Sequence, residues 1–321
     1  MQQKKIRVGI IGTGAIAHVA YFPSLASMED VEMRAVLSGH YENATLAARQ
    51  FGISKAVHNI DEFLKEDLDC AILLTPKTIR KEYMIPLLDG GLDILVEKPL
   101  AMTIQECANI ANLSAKSGRI VMVAFNRRFS PVNRGGIEAF GGARPEYVLA
   151  QKNREFKEYR GTLENAIHMV DMLRFILGEA KKVEAQARWH DPFKEDLCTA
   201  QISFECGSVG LLGASRNAGQ WFERIEMYGA NKSVIMESPE RYSIIFPDHE
   251  ESRHMTPLHK GWAELIDMMG FRPCIRHFID CVRNKSIPLT SVEDAFKTHQ
   301  LMDVILRTAG LPDMSQEWRA I

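Results

Sequence analysis

Short runs of β-branched and aliphatic residues recur from Lys5 to about Ala124, each followed by a stretch whose apolar residues return every three or four positions. Parallel strands need a crossover between them, usually a helix, so this alternation predicts a parallel sheet built from strand–helix–strand units. The runs place strands at Ile6 to Ile11, Val31 to Leu37, Cys70 to Leu74, Ile94 to Glu97 and Ile120 to Phe125. Helices are predicted at Ile79 to Asp89 and Ile104 to Ser117, each closed by a glycine suited to a helix C-terminus. A doubly wound α/β domain over residues 1–125 is the expectation.

Beyond Asn126 the period changes. One helix-like segment, Leu163 to Leu177, is followed by longer runs of period two and by turns such as Glu205-Cys-Gly-Ser208 and Gly229-Ala-Asn-Lys232. These predict strands at Glu146 to Arg154, Lys182 to Trp189, Leu197 to Glu205, Ser208 to Ala214, Glu223 to Tyr228 and Ser233 to Glu237. A second, α+β domain over residues 126–321 follows, with one open-faced, mainly antiparallel sheet. Helical period returns at Ile275 to Val282 and Val292 to Ala309, helices that are free to pack back on the first domain. Alternating apolar residues such as Ile202, Phe204, Leu211 and Ile225 would meet water on an open face, so a homodimer or homotetramer joined through that sheet is expected.

Composition narrows the class. The 321 residues suffice for two domain cores, and 46% hydrophobic with 25% charged residues exclude a disordered, collagen-like or coiled-coil chain. Thirty-nine Lys and Arg against 41 Asp and Glu create no field that would gather nucleic acid or an anionic membrane, and neither partner is expected. Lys4 and Lys5 lead straight into an apolar strand, which leaves no room for a signal peptide, and no stretch reaches the roughly 18 apolar residues of a spanning helix. A cytoplasmic protein is expected. The six cysteines form no Cys-x-x-Cys pair and read as small buried hydrophobes. The ten histidines show no His-x-x-x-His spacing, so no metal site is expected.

The chemistry begins at Gly12-Thr13-Gly14-Ala15-Ile16-Ala17, between the first strand and a helical run. In that context Gly12 permits a tight turn, Gly14 lets a pyrophosphate approach the backbone, and Ala17 takes the place where helix and strand pack closely. The helix N-terminus then offers free N–H groups to phosphates. NAD or NADP is the implied cofactor. An acid at the end of the second strand would grip the adenosine ribose and select NAD, and this chain has Ser38-Gly39-His40 there. With no carboxylate to repel a 2′-phosphate, NADP is favoured.

The fingerprint, Thr75-Pro76 and above all Glu97-Lys98-Pro99-Leu100-Ala101 resemble the glucose-fructose oxidoreductase and inositol dehydrogenase superfamily (Gfo/Idh/MocA). The resemblance continues through Asn126-Arg127-Arg-Phe-Ser-Pro131, the Ile167-His168-Met-Val-Asp171 segment with Arg174 and Gly178, Arg224-Ile-Glu-Met-Tyr-Gly229 and the closing helix near Phe278. It implies a Rossmann domain followed by an open-sheet domain, with the nicotinamide in the cleft between them, Lys98 at the nicotinamide end and His168 facing it. Thr75, Pro76, Glu97, Asn126 and Arg127 join the implied cofactor-binding set.

Oxidising a secondary alcohol by hydride transfer requires a group that takes the hydroxyl proton. The expected catalytic residues are Lys98, His168 and Glu164, with Lys98, Glu164, His168 and Asp171 toward the substrate. On a regular helix Glu164, His168 and Asp171 share one face, although Asp171 is also spaced to pair with Arg174. The implied substrate is a small sugar, cyclitol or related polyol. The alternatives are a regulatory protein that binds NAD(P) without turnover, and a redox enzyme for a non-sugar substrate such as a dihydrodiol. The family usually has Asp where this chain has Glu164, and Asn and His where it has Lys77 and Arg80. Those two, with Lys152 and Arg154, raise an anionic substrate as a further possibility, while solvated faces account for them equally. Trp221 and Tyr228 are suited to a sugar site but are expected to pack in the core.

Overall fold

The computed structural model describes residues 4–155, 160–255 and 264–315, which form two compact units. Of the described residues, those up to 124 together with 271–296 make the first, and those within 125–270 together with 297–315 make the second. The segment 271–296, assigned by sequence to the second half, belongs to the first unit.

The first unit is a six-stranded parallel sheet of β1 (Ile6–Ile11), β2 (Val31–Leu37), β3 (Lys55–Val57), β4 (Cys70–Leu73), β5 (Asp93–Val96) and β6 (Val121–Val123), in the order β3-β2-β1-β4-β5-β6. Helices α1 (Phe22–Ala26), α2 (Tyr41–Phe51), α3 (Ile60–Leu64), α4 (Arg80–Asp89) and α5 (Ile104–Ser117) are the crossovers. A π-type turn, Ala17–Tyr21, leads into α1. β4 and β5 are buried along their whole length, as strands covered on both faces must be. The sequence pattern missed β3, α2 and α3. Register ends all six strands on one row, with Ile11 beside Leu37 and Leu73, Leu37 beside Val57, and Val96 beside Leu73 and Val123.

After residue 270 the chain supplies α9 (Phe271–Asn284) to this unit, burying Ile275, Phe278 and Ile279. Arg276 and Arg283 both pair with Asp30, each at 2.7 Å. Thr290 then bonds the edge of β6, its carbonyl accepting from Val123 N at 2.9 Å.

The second unit holds an eight-stranded sheet of β7 (Tyr147–Asn153), β8 (Ala180–Trp189), β9 (Glu195–Phe204), β10 (Val209–Ser215), β11 (Phe222–Gly229), β12 (Lys232–Ser238), β13 (Arg241–Ile245) and β14 (Glu250–His254). Its order is β14-β13-β12-β11-β7-β10-β9-β8, and only β7 and β10 run parallel among these neighbours. Helices α6 (Pro131–Phe140) and α7 (Ile167–Leu177) cover one face. A short α8 (Leu265–Met268) and the long α10 (Val292–Thr308) are the remaining helices among the described residues. β13, β14 and α6 were not foreseen. The adjacent Gly135 and Gly136 let α6 sit close to the sheet: a Cβ on Gly136 would lie 2.3 Å from Met236.

The open-face expectation needs a correction of residues. Ile202, Phe204 and Ile225 are buried on the covered face, beside Val148, Ala150 and Leu212. The opposite face carries Leu149, Leu211 and Ile235, all half-buried, and a stacked Tyr147–Tyr228 pair 5.1 Å between centroids. Among the described residues no helix is long and apolar enough to cross a membrane.

One polar cluster interrupts the covered face. Glu223 and Lys152 stand opposite each other on β11 and β7, at positions where alternation calls for apolar residues. The Glu223 carboxylate accepts from Arg127 Nε at 2.6 Å and Nη2 at 2.7 Å, from the Lys152 ammonium, and from Trp221 Nε1 at 2.8 Å. Burial pushes its carboxyl up, but the charges of Arg127 and Lys152 outweigh this and hold it well below the ordinary range. Substituting Glu223→Gln leaves two buried cations facing a neutral amide, with an expected loss of about 3–5 kcal/mol in urea unfolding at neutral pH. The carboxylate's contribution is complete above its unfolded pKa of 4.5 and fades as pH falls toward the lowered native value. The gap between wild type and variant should therefore narrow in acid; equal gaps at pH near 7 and near 3 would count against this account.

Candidate functional site

The row on which the strands end brings the loops after β1, β2, β4 and β5 to one edge of the first unit, the carboxyl edge where open α/β sheets bind ligands. Gly12 has φ +109°, and a Cβ there would lie 2.8 Å from the Leu74 backbone. Its N–H donates to Leu37 O at 2.8 Å, which fixes the turn. A Cβ on Gly14 would meet nothing within 4 Å, so the loop leaves its outer side open, as a pyrophosphate lying against the backbone requires. Ala15 is exposed, Ile16 half-buried, and the Gly14 carbonyl accepts from Ala17 N and His18 N as the winding begins. Thr13 and Ser38 share a hydroxyl–hydroxyl bond of 2.8 Å across the loops after β1 and β2. His40 is exposed at the N-cap of α2. These residues fit a dinucleotide.

Thr75 is buried and Pro76 exposed just past the end of β4. Beyond β5, Glu97 is buried and Lys98 half-buried, and the Lys98–Pro99 peptide is cis. Glu97 Oε1 accepts from the Tyr21 hydroxyl at 2.7 Å, and Oε2 accepts from the Lys98 N–H at 3.1 Å. Burial, reinforced by the Glu97 charge, pushes the Tyr21 phenol well above its ordinary range. Arg80 is buried, with its guanidinium donating to the carbonyls of Thr75, Glu97 and Pro99. It is buried and so does not stand on a solvated face, which corrects that reading of this residue.

In the second unit His168 is the second residue of α7, 4% exposed, with its ring edge-on to Phe125 at 6.3 Å. The expected helix from Leu163 begins instead as a π-type turn, Gly161–Ala166, and becomes α-helical only at Ile167. Glu164 and His168 therefore span a change of winding and do not share a uniform α-helical face. The Glu164 carboxylate accepts from Arg160 N at 3.1 Å.

Asp171 is fully buried; Arg128 grips it through Nε at 2.7 Å and Nη2 at 2.6 Å, and Thr298 donates to it at 3.0 Å. Arg174 pairs with Glu179 and donates to Thr298, whose hydroxyl donates in turn to Asp171. Asn126 Nδ2 donates to Met269 O at 2.9 Å, and the Arg127 guanidinium lies on Glu223. Lys152, raised as an anion ligand, is buried on that same carboxylate. Arg154 lies 5.1 Å over Trp221, which is 43% exposed and so not a core residue; Tyr228 is on the open face.

Sequence reasoning missed Tyr21, Arg128, Glu223 and Thr298. For Glu223 a signal existed, since opposite charges break the apolar alternation at matched positions of β7 and β11.

The Gfo/Idh/MocA profile, an oxidoreductase family with an NAD-binding Rossmann fold, matches residues 6–125, and the family's C-terminal alpha/beta domain matches residues 153–310. An uncharacterised oxidoreductase of Rhizobium meliloti is 32% identical over 251 residues, covering 73% of this chain and 75% of its own. The scyllo-inositol 2-dehydrogenase (NAD(+)) of Bacillus subtilis is 24% identical over 324 residues, covering 91% of each chain. An oxidoreductase of Agrobacterium radiobacter, solved with NAD+, L-tartaric acid and magnesium, shares the fold at a TM-score of 0.86 and 17% identity, over 97% of this chain and 99% of its own. Matched in both halves, with a dinucleotide loop whose geometry fits the cofactor, the chain belongs to the Gfo/Idh/MocA oxidoreductase family and is an NAD(P)-dependent oxidoreductase.

Proposed function

We propose that the protein transfers hydride between NADP and a secondary alcohol or ketone of a neutral sugar, cyclitol or related polyol. The observation that carries this reading is the placement of Lys98 on the same sheet edge as the open Gly12–Gly14 turn. The nicotinamide supplies the hydride acceptor or donor when bound. Lys98 hydrogen-bonds the reacting oxygen, and His168 takes or returns the hydroxyl proton, with Glu164 as the third catalytic residue. The reading gives Asp171, Asn126 and Arg127 supporting tasks, because their side chains are committed to Arg128 and Thr298, to Met269 and to Glu223. A neutral substrate is preferred because Arg80 and Lys152 are engaged with internal carbonyls and a carboxylate. The inositol substrate of the Bacillus subtilis relative supports the cyclitol class.

NADP is preferred because Ser38 and His40 stand where an acid would repel a 2′-phosphate, and α2 begins there with its N-terminal N–H groups. The open face of the second sheet joins subunits into a homodimer or homotetramer through Leu149, Leu211, Ile235 and the tyrosine pair. The reading places the protein in the cytoplasm, in keeping with five buried cysteines.

Fluorescence titration with NADPH and NADH, followed by turnover on a polyol panel, tests the reaction. Lys98→Ala should bind the dinucleotide as wild type does and lose about 10²–10⁴-fold in kcat; an unchanged kcat would remove the lysine from the chemistry. Ser38→Asp should shift preference from NADPH toward NADH by roughly ten- to a hundredfold through like-charge repulsion, and an unaltered ratio would move the selectivity elsewhere. Light scattering at micromolar concentration should give a multiple of the 36.2 kDa chain mass, and a monomer would reject the interface.

A further inference from the structure

Arg80 opens α4, yet its guanidinium serves the loops on either side of it. Nε donates to Thr75 O at 3.1 Å, and Nη1 donates to both Glu97 O and Pro99 O. The last two carbonyls bracket Lys98. Thr75 lies on the neighbouring loop, which follows β4. One planar cation therefore ties together the exits of two adjacent strands, with the lysine held in the span.

Buried carbonyls need donors, and few side chains can serve three at once. A guanidinium offers five N–H groups in a rigid fork; an ammonium has the donors but no fixed directions, and an imidazole has at most two. The other side of the lysine backbone is held as well, because its N–H donates to the Glu97 carboxylate, itself anchored by the Tyr21 hydroxyl. The charged and titratable groups around this loop include Arg80 from α4, Glu97 on the loop, Tyr21 from the turn before α1, and Cys274 from α9, which bears on Tyr21.

We propose that Arg80 is a positioning residue for Lys98: by clamping the carbonyls before and after it, and that of Thr75, Arg80 fixes the origin from which the lysine side chain reaches the reacting oxygen. The inference rests on the assignment of Lys98 to the reaction. The two separate experimentally, because the reactivity of a lysine can be read without turnover.

The test is trace acetylation of the full-length protein between about pH 6 and 11, with Lys98 and Lys116 quantified by peptide mass spectrometry in wild type, Arg80→Lys and Arg80→Ala. Removing a guanidinium beside the loop takes away a like charge and should raise the Lys98 midpoint by roughly half a pH unit or more, with the exposed Lys116 as the unmoved reference. Arg80→Lys keeps a buried cation but loses the fork, so it should show a smaller shift of the same sign, and it serves alone should Arg80→Ala fail to fold. In turnover, Arg80→Ala should lose about 100-fold in kcat, the scale of a 1 Å misplacement, while dinucleotide affinity stays within about threefold of wild type. A Lys98 curve superimposable on wild type in both variants, with only the melting temperature lowered, would overturn the proposal by making Arg80 a scaffold residue. A shifted curve in an enzyme that turns over no polyol would leave the positioning role standing and the proposed reaction refuted.

Discussion

Six parallel strands that stop at Val57, Leu37, Ile11, Leu73, Val96 and Val123, all on one row of the sheet, set the terms for the first unit. A parallel ladder leaves its last carbonyls at a common edge, and every loop that leaves it must turn within a few residues. Gly12 turns because its N–H finds Leu37 O and because it has no Cβ to strike Leu74. Glu97 and Arg80 divide the polar backbone of the Lys98 loop between them, one taking an N–H and the other the carbonyls. The glycine turn and the Lys98 loop thus depend on a register set by hydrophobic burial some distance away.

In the second unit the governing feature is buried charge. Consecutive arginines at 127 and 128 leave one short turn and diverge, the first to Glu223 on β11 and the second to Asp171 on α7. Two bidentate pairs therefore bind a single turn to both a strand and a helix. Buried ion pairs add little net stability over apolar replacements, but each is costly to leave half-made, so they penalise any arrangement that separates the partners. His168 lies one helical turn from Asp171, so the Arg128 pair helps to fix its position along α7.

Much of the first unit was legible because strands covered on both faces are written as unbroken aliphatic runs, and β1 and β2 match the pattern at both ends. α2 was hidden by its polarity, burying only Ala44 and Ala47, and β3 by being three residues long. α6 was hidden by Gly135-Gly136, which weaken a helix by propensity but here admit Met236 and Tyr242. β13 and β14 lie at a sheet edge where alternation fades, β14 being exposed throughout. The glycine turn and the Lys98 loop were visible as motifs. Arg80 was visible only as a charge, because its partners are backbone carbonyls that no side-chain pattern records.

The chain enters the first unit, leaves it at 124, returns for 271–296 and leaves again. During synthesis, β6 and the Asp30 carboxylate must wait for Thr290, Arg276 and Arg283, well over a hundred residues away. At roughly 5–20 residues per second that delay is on the order of ten seconds. The nascent Rossmann sheet is therefore incomplete while most of the second sheet is already outside the ribosome. A nonsense mutation anywhere before α9 deprives the dinucleotide domain of part of its own core, although every residue of the glycine turn has been made.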